Sequence, residues 1–86
     1  MAEVKFAPYA LTQMEERGLS EAAVLEAVDN PDQVLGGKGH RQIAQKRKRE
    51  ADREYLLRVI FEKVGDSVVV VTAYKTSKVE KYWRQQ

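Results

Sequence analysis

The feature that most constrains this chain is a pair of long strand-like runs separated by only a short turn. Glu54 to Glu62 places Tyr55, Leu57, Val59 and Phe61 on one side and Leu56, Arg58 and Ile60 on the other, which is the period-two pattern of a β-strand. Ser67 to Tyr74 holds four consecutive valines, Val68 to Val71, a run that favours burial on both faces and hence a central strand. Val64-Gly65-Asp66 lies between the two runs and suits a tight hairpin turn. Two strands alone are marginal in water, so the rest of the chain must extend the sheet and cover it.

The first third of the sequence supplies that cover as helices. Pro8 suits a first helical turn, where its missing N–H is not needed. Ala10, Leu11 and Met14 follow at helical spacing, with Gln13, Glu15, Glu16 and Arg17 around them. Gly18 offers the positive φ that ends a helix. Ser20 is placed to cap a second helix, in which Ala23, Val24, Ala27 and Val28 form one apolar stripe. Asn30-Pro31 stops it, because the residue before proline is pushed out of the α region. Glu21, Glu26 and Asp29 make this second helix acidic, which is wrong for a DNA recognition helix approaching phosphates.

Downstream, Gly36-Gly37-Lys38-Gly39 reads as a flexible turn and His40 to Lys46 as a strand. Lys46 to Arg53 reads as a long polar loop or hairpin tip, and Lys75 to Lys78 as a polar junction. Val79 to Gln86 fits a last helical turn or an edge strand, with Tyr82 or Trp83 docking on the core. The expected fold is α+β, with two N-terminal helices packed on one face of a 3–4-stranded antiparallel sheet in the order ααβββ(β/α).

Composition narrows the chemistry. The chain has 86 residues, room for one core and a single domain over 1–86, and it shows no self-similarity at repeat periods. Cysteine is absent and histidine occurs once, which removes disulfide scaffolds, thiolate zinc sites and Cys nucleophiles and leaves no expectation of a metal or other cofactor. The longest apolar run, Val68 to Val71, is far short of the ~20 residues of a spanning helix. Met1 to Lys5 has no apolar signal region. These readings point to a cytoplasmic protein with no membrane partner.

The net charge of +2 hides an asymmetry. Residues 1–37 carry −5, residues 38–53 carry +5 and residues 54–86 carry +2. Such a dipolar layout attracts a polyanion on one side while the other keeps the chain soluble, and it is equally what a solvated basic loop gives.

Several residues can do chemistry on the sheet face that the helices leave free. Arg58 interrupts an apolar alternation; it snorkels, pairs with a carboxylate such as Glu54 or Glu62, or marks a functional face. Thr72 and Tyr74 share a strand face, and Tyr74 stands at the strand end, as a catalytic group or as a rim aromatic. His40 is either a proton donor and acceptor near neutrality or a solvated surface group. Lys75, Thr76, Ser77 and Lys78 are a donor cluster fit for a phosphate or for a capped turn. No P-loop, GxGxxG, HExxH or GxSxG is present. Catalysis here would rest on Arg, Lys, His and Tyr, a set suited to cleaving RNA through its own 2′-hydroxyl. The same basic and aromatic residues suit RNA binding without cleavage.

The segments Phe6-Ala7-Pro8-Tyr9-Ala10, Met14 to Ser20 and Val24 to Pro31 resemble the opening of a small bacterial family of unknown function. Tyr55 to Phe61, Val70 to Lys78 and Lys81-Tyr82 resemble its closing half. Arg17-Gly18-Leu19-Ser20 and Thr72-Ala73-Tyr74 are the most specific parts. That family looks like a distant relative of the RelE, BrnT and colicin D group of ribonuclease toxins. The resemblance implies two N-terminal helices on an antiparallel sheet, RNA cleavage without metal, and an antitoxin protein that covers the active face. It carries over onto Arg17, Arg58, Thr72, Tyr74 and Lys78. Two positions depart from the pattern, Tyr9 where relatives commonly have His and Gln13 where they commonly have Arg. The expectation is a toxin-like, metal-independent endoribonuclease. In it Lys38, Arg41, Lys46, Thr72 and Lys78 bind RNA, Arg58 stabilises the reacting phosphate, and His40 or Tyr74 moves protons. The alternatives are a non-catalytic RNA- or protein-binding module and a homodimer joined through an edge strand.

Overall fold

Val4 and Phe6 alternate with Glu3 and Lys5, and these four residues form the first strand, β1 (Glu3–Phe6), in the computed structural model, which describes residues 3–84. Helices α1 (Pro8–Glu16) and α2 (Glu21–Asp29) follow, then β2 (Gln33–Gly36), β3 (Arg41–Glu50), β4 (Arg53–Val64), β5 (Ser67–Thr76) and the short α3 (Val79–Tyr82). The strands form one sheet in the order β1-β5-β4-β3-β2. β1 runs parallel to β5, and every other pairing is antiparallel.

The helix ends follow the local chemistry. Gly18 takes a φ of +67° just past α1, where a side chain would be strained. The Ser20 hydroxyl accepts from the Ala23 N–H at 3.1 Å and caps α2. Both helices face the same side of the sheet. Ala10 and Met14 of α1 and Val24 and Ala27 of α2 share one buried cluster with Ala44, Leu57, Val59, Phe61, Val68, Val70 and Ala73. Each fully buried Leu, Val, Phe or Met contributes roughly 1.5–3 kcal/mol relative to exposure.

The α+β class holds, but the sheet corrects the expected architecture. It has five strands rather than 3–4, it is mixed rather than antiparallel, and the order begins with a strand instead of ααβββ(β/α). Val4 and Phe6 are half-buried against the core, which gives the opening residues a reason to pair with β5. The polar stretch Lys46 to Arg53 is not a loop. β3 runs through to Glu50, and Arg53 already begins β4 opposite it. Three of its cations are met by partners: Arg47 pairs with Glu54 at 2.8 Å, Lys48 with Glu26 at 2.6 Å, and Lys46 lies 3.8 Å from Asp32. Neutralised in this way, a strand with few apolar residues still completes a long hairpin.

The strand buried on both faces is β4, with Leu56, Leu57, Arg58 and Val59 all buried, rather than the valine-rich β5. β1 covers only the first part of β5, from Ser67 to Val70. Beyond it the register slips by one residue, so that Phe61 faces Val70 while Ile60 faces Thr72. This bulge falls where β1 ends. There Arg17 at the end of α1 donates from Nη1 to the Ala73 carbonyl at 2.8 Å, capping a bare strand edge.

The closing segment is a helical turn rather than an edge strand, and it lies on β4. Leu56 and Val79 are buried outside the main core cluster. Tyr82 and Trp83 stack on Arg58 and Arg47, on the face opposite α1 and α2, instead of joining the main core. The readings made for Met1, Ala2, Gln85 and Gln86 lie outside the described residues.

Candidate functional site

Because Leu57, Val59 and Phe61 point toward the helices, Leu56, Arg58 and Ile60 point away from them. Strand register aligns this second face into transverse rows. Gln33, Gln45, Arg58 and Tyr74 form one row across β2, β3, β4 and β5, and Leu35, Ile43, Ile60 and Thr72 form the next. The first row is a continuous polar network built around Arg58.

Arg58 is 8% exposed. Its Nε donates to Gln45 Oε1 at 2.7 Å, and Nη1 donates to the Tyr74 hydroxyl. Gln45, fully buried, is held in turn, donating from Nε2 to Gln33 Oε1 at 3.0 Å and to the Tyr82 carbonyl at 3.2 Å. Gln33 accepts the Arg84 N–H at 3.1 Å and donates to the Arg84 carbonyl. The guanidinium carbon sits 4.2 Å from the Tyr82 ring centre and 5.6 Å from that of Tyr74. Two aromatic faces thus offset part of its desolvation.

No carboxylate partners Arg58 among the described residues. Glu62 pairs with Arg41 at 3.3 Å and Glu54 with Arg47, leaving neither for Arg58. Arg47 holds Glu54 through two hydrogen bonds of 2.8 Å, and this contact keeps the Glu54 carboxyl below its ordinary pKa. A buried cation without a counter-charge is costly, which makes the place receptive to an anion. Nη2 of Arg58 makes no hydrogen bond among the described residues. The Tyr74 oxygen accepts from Arg58, which leaves its own proton for another acceptor. Nη2 and the Tyr74 O–H are therefore two donors without an acceptor among the described residues.

The other sequence-predicted residues scatter. Lys38 and His40 are exposed in the turn between β2 and β3. His40 precedes Gln45 by five positions, about 17 Å along an extended strand. Arg41 lies near that end with Glu62. Lys46 stands opposite Leu57 on the helix side and donates to the Asn30 carbonyl at 2.9 Å. The Thr72 hydroxyl donates to Gln13 Oε1 and accepts from Arg17 at 3.3 Å. Lys78 is exposed just before α3. Tyr9 is 67% exposed, while Gln13 touches Thr72. The structure brings Arg58 and Tyr74 together, with Thr72 in the adjoining row, and does not bring His40, Lys38, Arg41 or Lys46 to them.

Sequence reasoning missed Gln33 and Gln45. Gln45 was legible as a polar residue on an alternating strand, but only the pairing with β4 shows that it faces Arg58. A separate open groove of about 330 Å³ lies past the other end of β4, lined by Tyr55, Lys75 and Ser77 among others. There Lys75 is already paired with Glu50 at 3.7 Å, and burial together with Glu50 pushes the Tyr55 phenol above its ordinary pKa. Among the described residues no three His, Cys, Asp or Glu side chains group to hold a metal ion, and no helix is long and apolar enough to cross a membrane.

The profile of a family described as a domain of unknown function, DUF4258, matches residues 8–79, a span that includes α1 through β5 and every residue of the Arg58–Tyr74 pair's immediate row. Searches of curated proteins and of solved structures return no match.

Proposed function

The chain belongs to the DUF4258 family, and we propose that it is a toxin-like endoribonuclease that cleaves RNA without a metal ion, with the open sheet face as its active face. The observation that carries this reading is the buried Arg58 cation that, among the described residues, has no carboxylate partner and whose hydroxyl partner, Tyr74, keeps a proton to give. A phosphodiester supplies the missing negative charge. As the 2′-oxygen attacks phosphorus, Arg58 stabilises the phosphorane that forms, through Nη2. Tyr74 gives its proton to the departing 5′-oxygen, the 2′-hydroxyl proton passes to water, and the products are a 2′,3′-cyclic phosphate and a 5′-hydroxyl. Lys38, Arg41 and Lys78, all exposed, attract the backbone rather than react. The sequence resemblance to RelE, BrnT and colicin D ribonucleases implies RNA cleavage without metal, and an antitoxin protein is the partner it implies.

Incubation of a mixed-sequence RNA with the wild type, Arg58→Met and Tyr74→Phe tests the reading. The expected result is cyclic-phosphate ends with the wild type and their loss in both variants. Intact RNA with the wild type, in the presence or absence of ribosomes, overturns it.

A second reading, an RNA-binding module without cleavage, is favoured by one observation. Among the described residues, the Arg58 network holds no His or carboxylate to take the 2′-hydroxyl proton, His40 standing in the turn before β3, about 17 Å from Gln45. Salt-dependent RNA binding without cleavage would make this the function.

A further inference from the structure

The row beside Arg58 is apolar, and no segment among the described residues lies across it. Tyr82 lies over Arg58, Trp83 over Arg47, and the Arg84 backbone on Gln33, so the closing segment spans the rows of Leu56 and Arg58. It leaves the next row, Leu35, Ile43 and Ile60, half-buried with no segment across it among the described residues. That row is two residues from Arg58 along β4, about 7 Å. At the end of the row Thr72 is already committed, its hydroxyl donating to Gln13 and accepting from Arg17.

We infer that the Leu35–Ile43–Ile60 strip is a nucleobase platform, and that it takes one unpaired base of a single-stranded RNA whose phosphate lies on Arg58. This inference rests on the RNA reading above. Charge complementarity selects the occupant, because a largely buried cation with no carboxylate partner among the described residues, beside an apolar strip, matches a nucleotide, which joins an anion to an apolar ring face. The strip carries no hydrogen-bonding side chain, and the one hydroxyl at its end is engaged. The platform therefore holds the face of the base and does not read its edge. Binding should be nearly indifferent to which base is present but should require a single strand, since paired bases cannot lie flat on a sheet.

The test uses the full chain and fluorescent 2′-O-methyl oligonucleotides of adenine, uracil and cytosine, which cannot be cleaved, together with a duplex of equal length. The wild type is expected to bind the three homopolymers with affinities within about fivefold of one another and the duplex more than about tenfold more weakly. Ile43→Thr and Ile60→Thr, which keep β-branching, should weaken all three homopolymers by about tenfold with an unchanged far-ultraviolet spectrum. Ile60→Tyr should restore or tighten binding, which a merely structural role would not do. Unchanged homopolymer affinity in the threonine variants, while Arg58→Met abolishes binding, overturns the platform and leaves the RNA reading standing. Absence of binding by the wild type overturns the RNA reading itself. A mass that halves on Ile60→Thr with RNA affinity unaltered assigns the strip to a second copy of the chain and overturns the platform.

Discussion

Arg58 and Tyr74 face each other across β4 and β5, and the guanidinium donates to the phenol oxygen with no carboxylate among the described residues to balance its charge. This geometry separates stability from function. Replacing Arg58 with Met removes a buried charge, which favours folding, but it deprives Gln45 Oε1 of its donor, which costs about 1–3 kcal/mol. Arg58→Met should therefore unfold in urea within about 2 kcal/mol of the wild type, while RNA cleavage or binding is lost. A variant that no longer folds would instead make Arg58 a structural residue.

Lys46 is committed to the end of α2. Its side chain is 17% exposed and its Nζ donates to the Asn30 carbonyl at 2.9 Å. Lys46→Met should lower the unfolding free energy by about 1 kcal/mol, measured by urea denaturation. An unaltered midpoint would return Lys46 to the pool of free surface cations.

The β3–β4 hairpin turns through Ala51, whose φ is +53° although it carries a side chain. A left-handed L-residue costs roughly 1–2 kcal/mol, offset in part by the greater unfolded-chain entropy of glycine. Ala51→Gly should raise stability by about 0.5–1 kcal/mol. A lower melting temperature would show that the turn is not strained.

Acid should loosen the same hairpin. Hydrogen bonds from Arg47 to Glu54 and from Lys48 to Glu26 hold both carboxyls below the ordinary 4.5. A carboxyl whose folded pKa lies below its unfolded one adds stability that is fully present above about 4.5 and is lost as pH falls through the folded value. Both pairs are exposed, so the effect is small and screened by salt. Stability measured from pH 6 downward should fall less steeply in Glu54→Gln, and a slope identical to the wild type would refute the linkage.

The paired helices and the β4–β5 hairpin were legible because each has a local signature: Pro8, Gly18, Ser20 and Asn30-Pro31 for the helix ends, alternation and Gly65 for the hairpin. Strand β1 also had a signal, Val4 and Phe6 at period two, but four residues give too short a pattern to stand apart from a terminus. The second half of β3 had none, because Lys46 to Glu50 are strand residues only through partners far away in sequence, among them Glu26 and Glu54. The candidate site was half legible. Arg58 and Tyr74 stand out within their own strands, whereas Gln33, Gln45 and Tyr82 join them only through register and the return of the closing segment. His40 drew notice as the sole histidine, a compositional signal that carries no information about distance.

The parallel pairing of β1 with β5 sets an order in time. Glu3 lies opposite Ser67 and Phe6 opposite Val70, so the first strand has nowhere to pair until the β4–β5 hairpin exists. Until it arrives, the edge bearing Val68 to Val70 stays bare, a short, uncharged, strongly β-prone stretch able to pair with another chain. Refolding is thus a competition between an intramolecular closure spanning more than sixty residues and a bimolecular one that grows with concentration. Four modest residues at the start of the fold act as a stopper on the Val68 to Val70 edge.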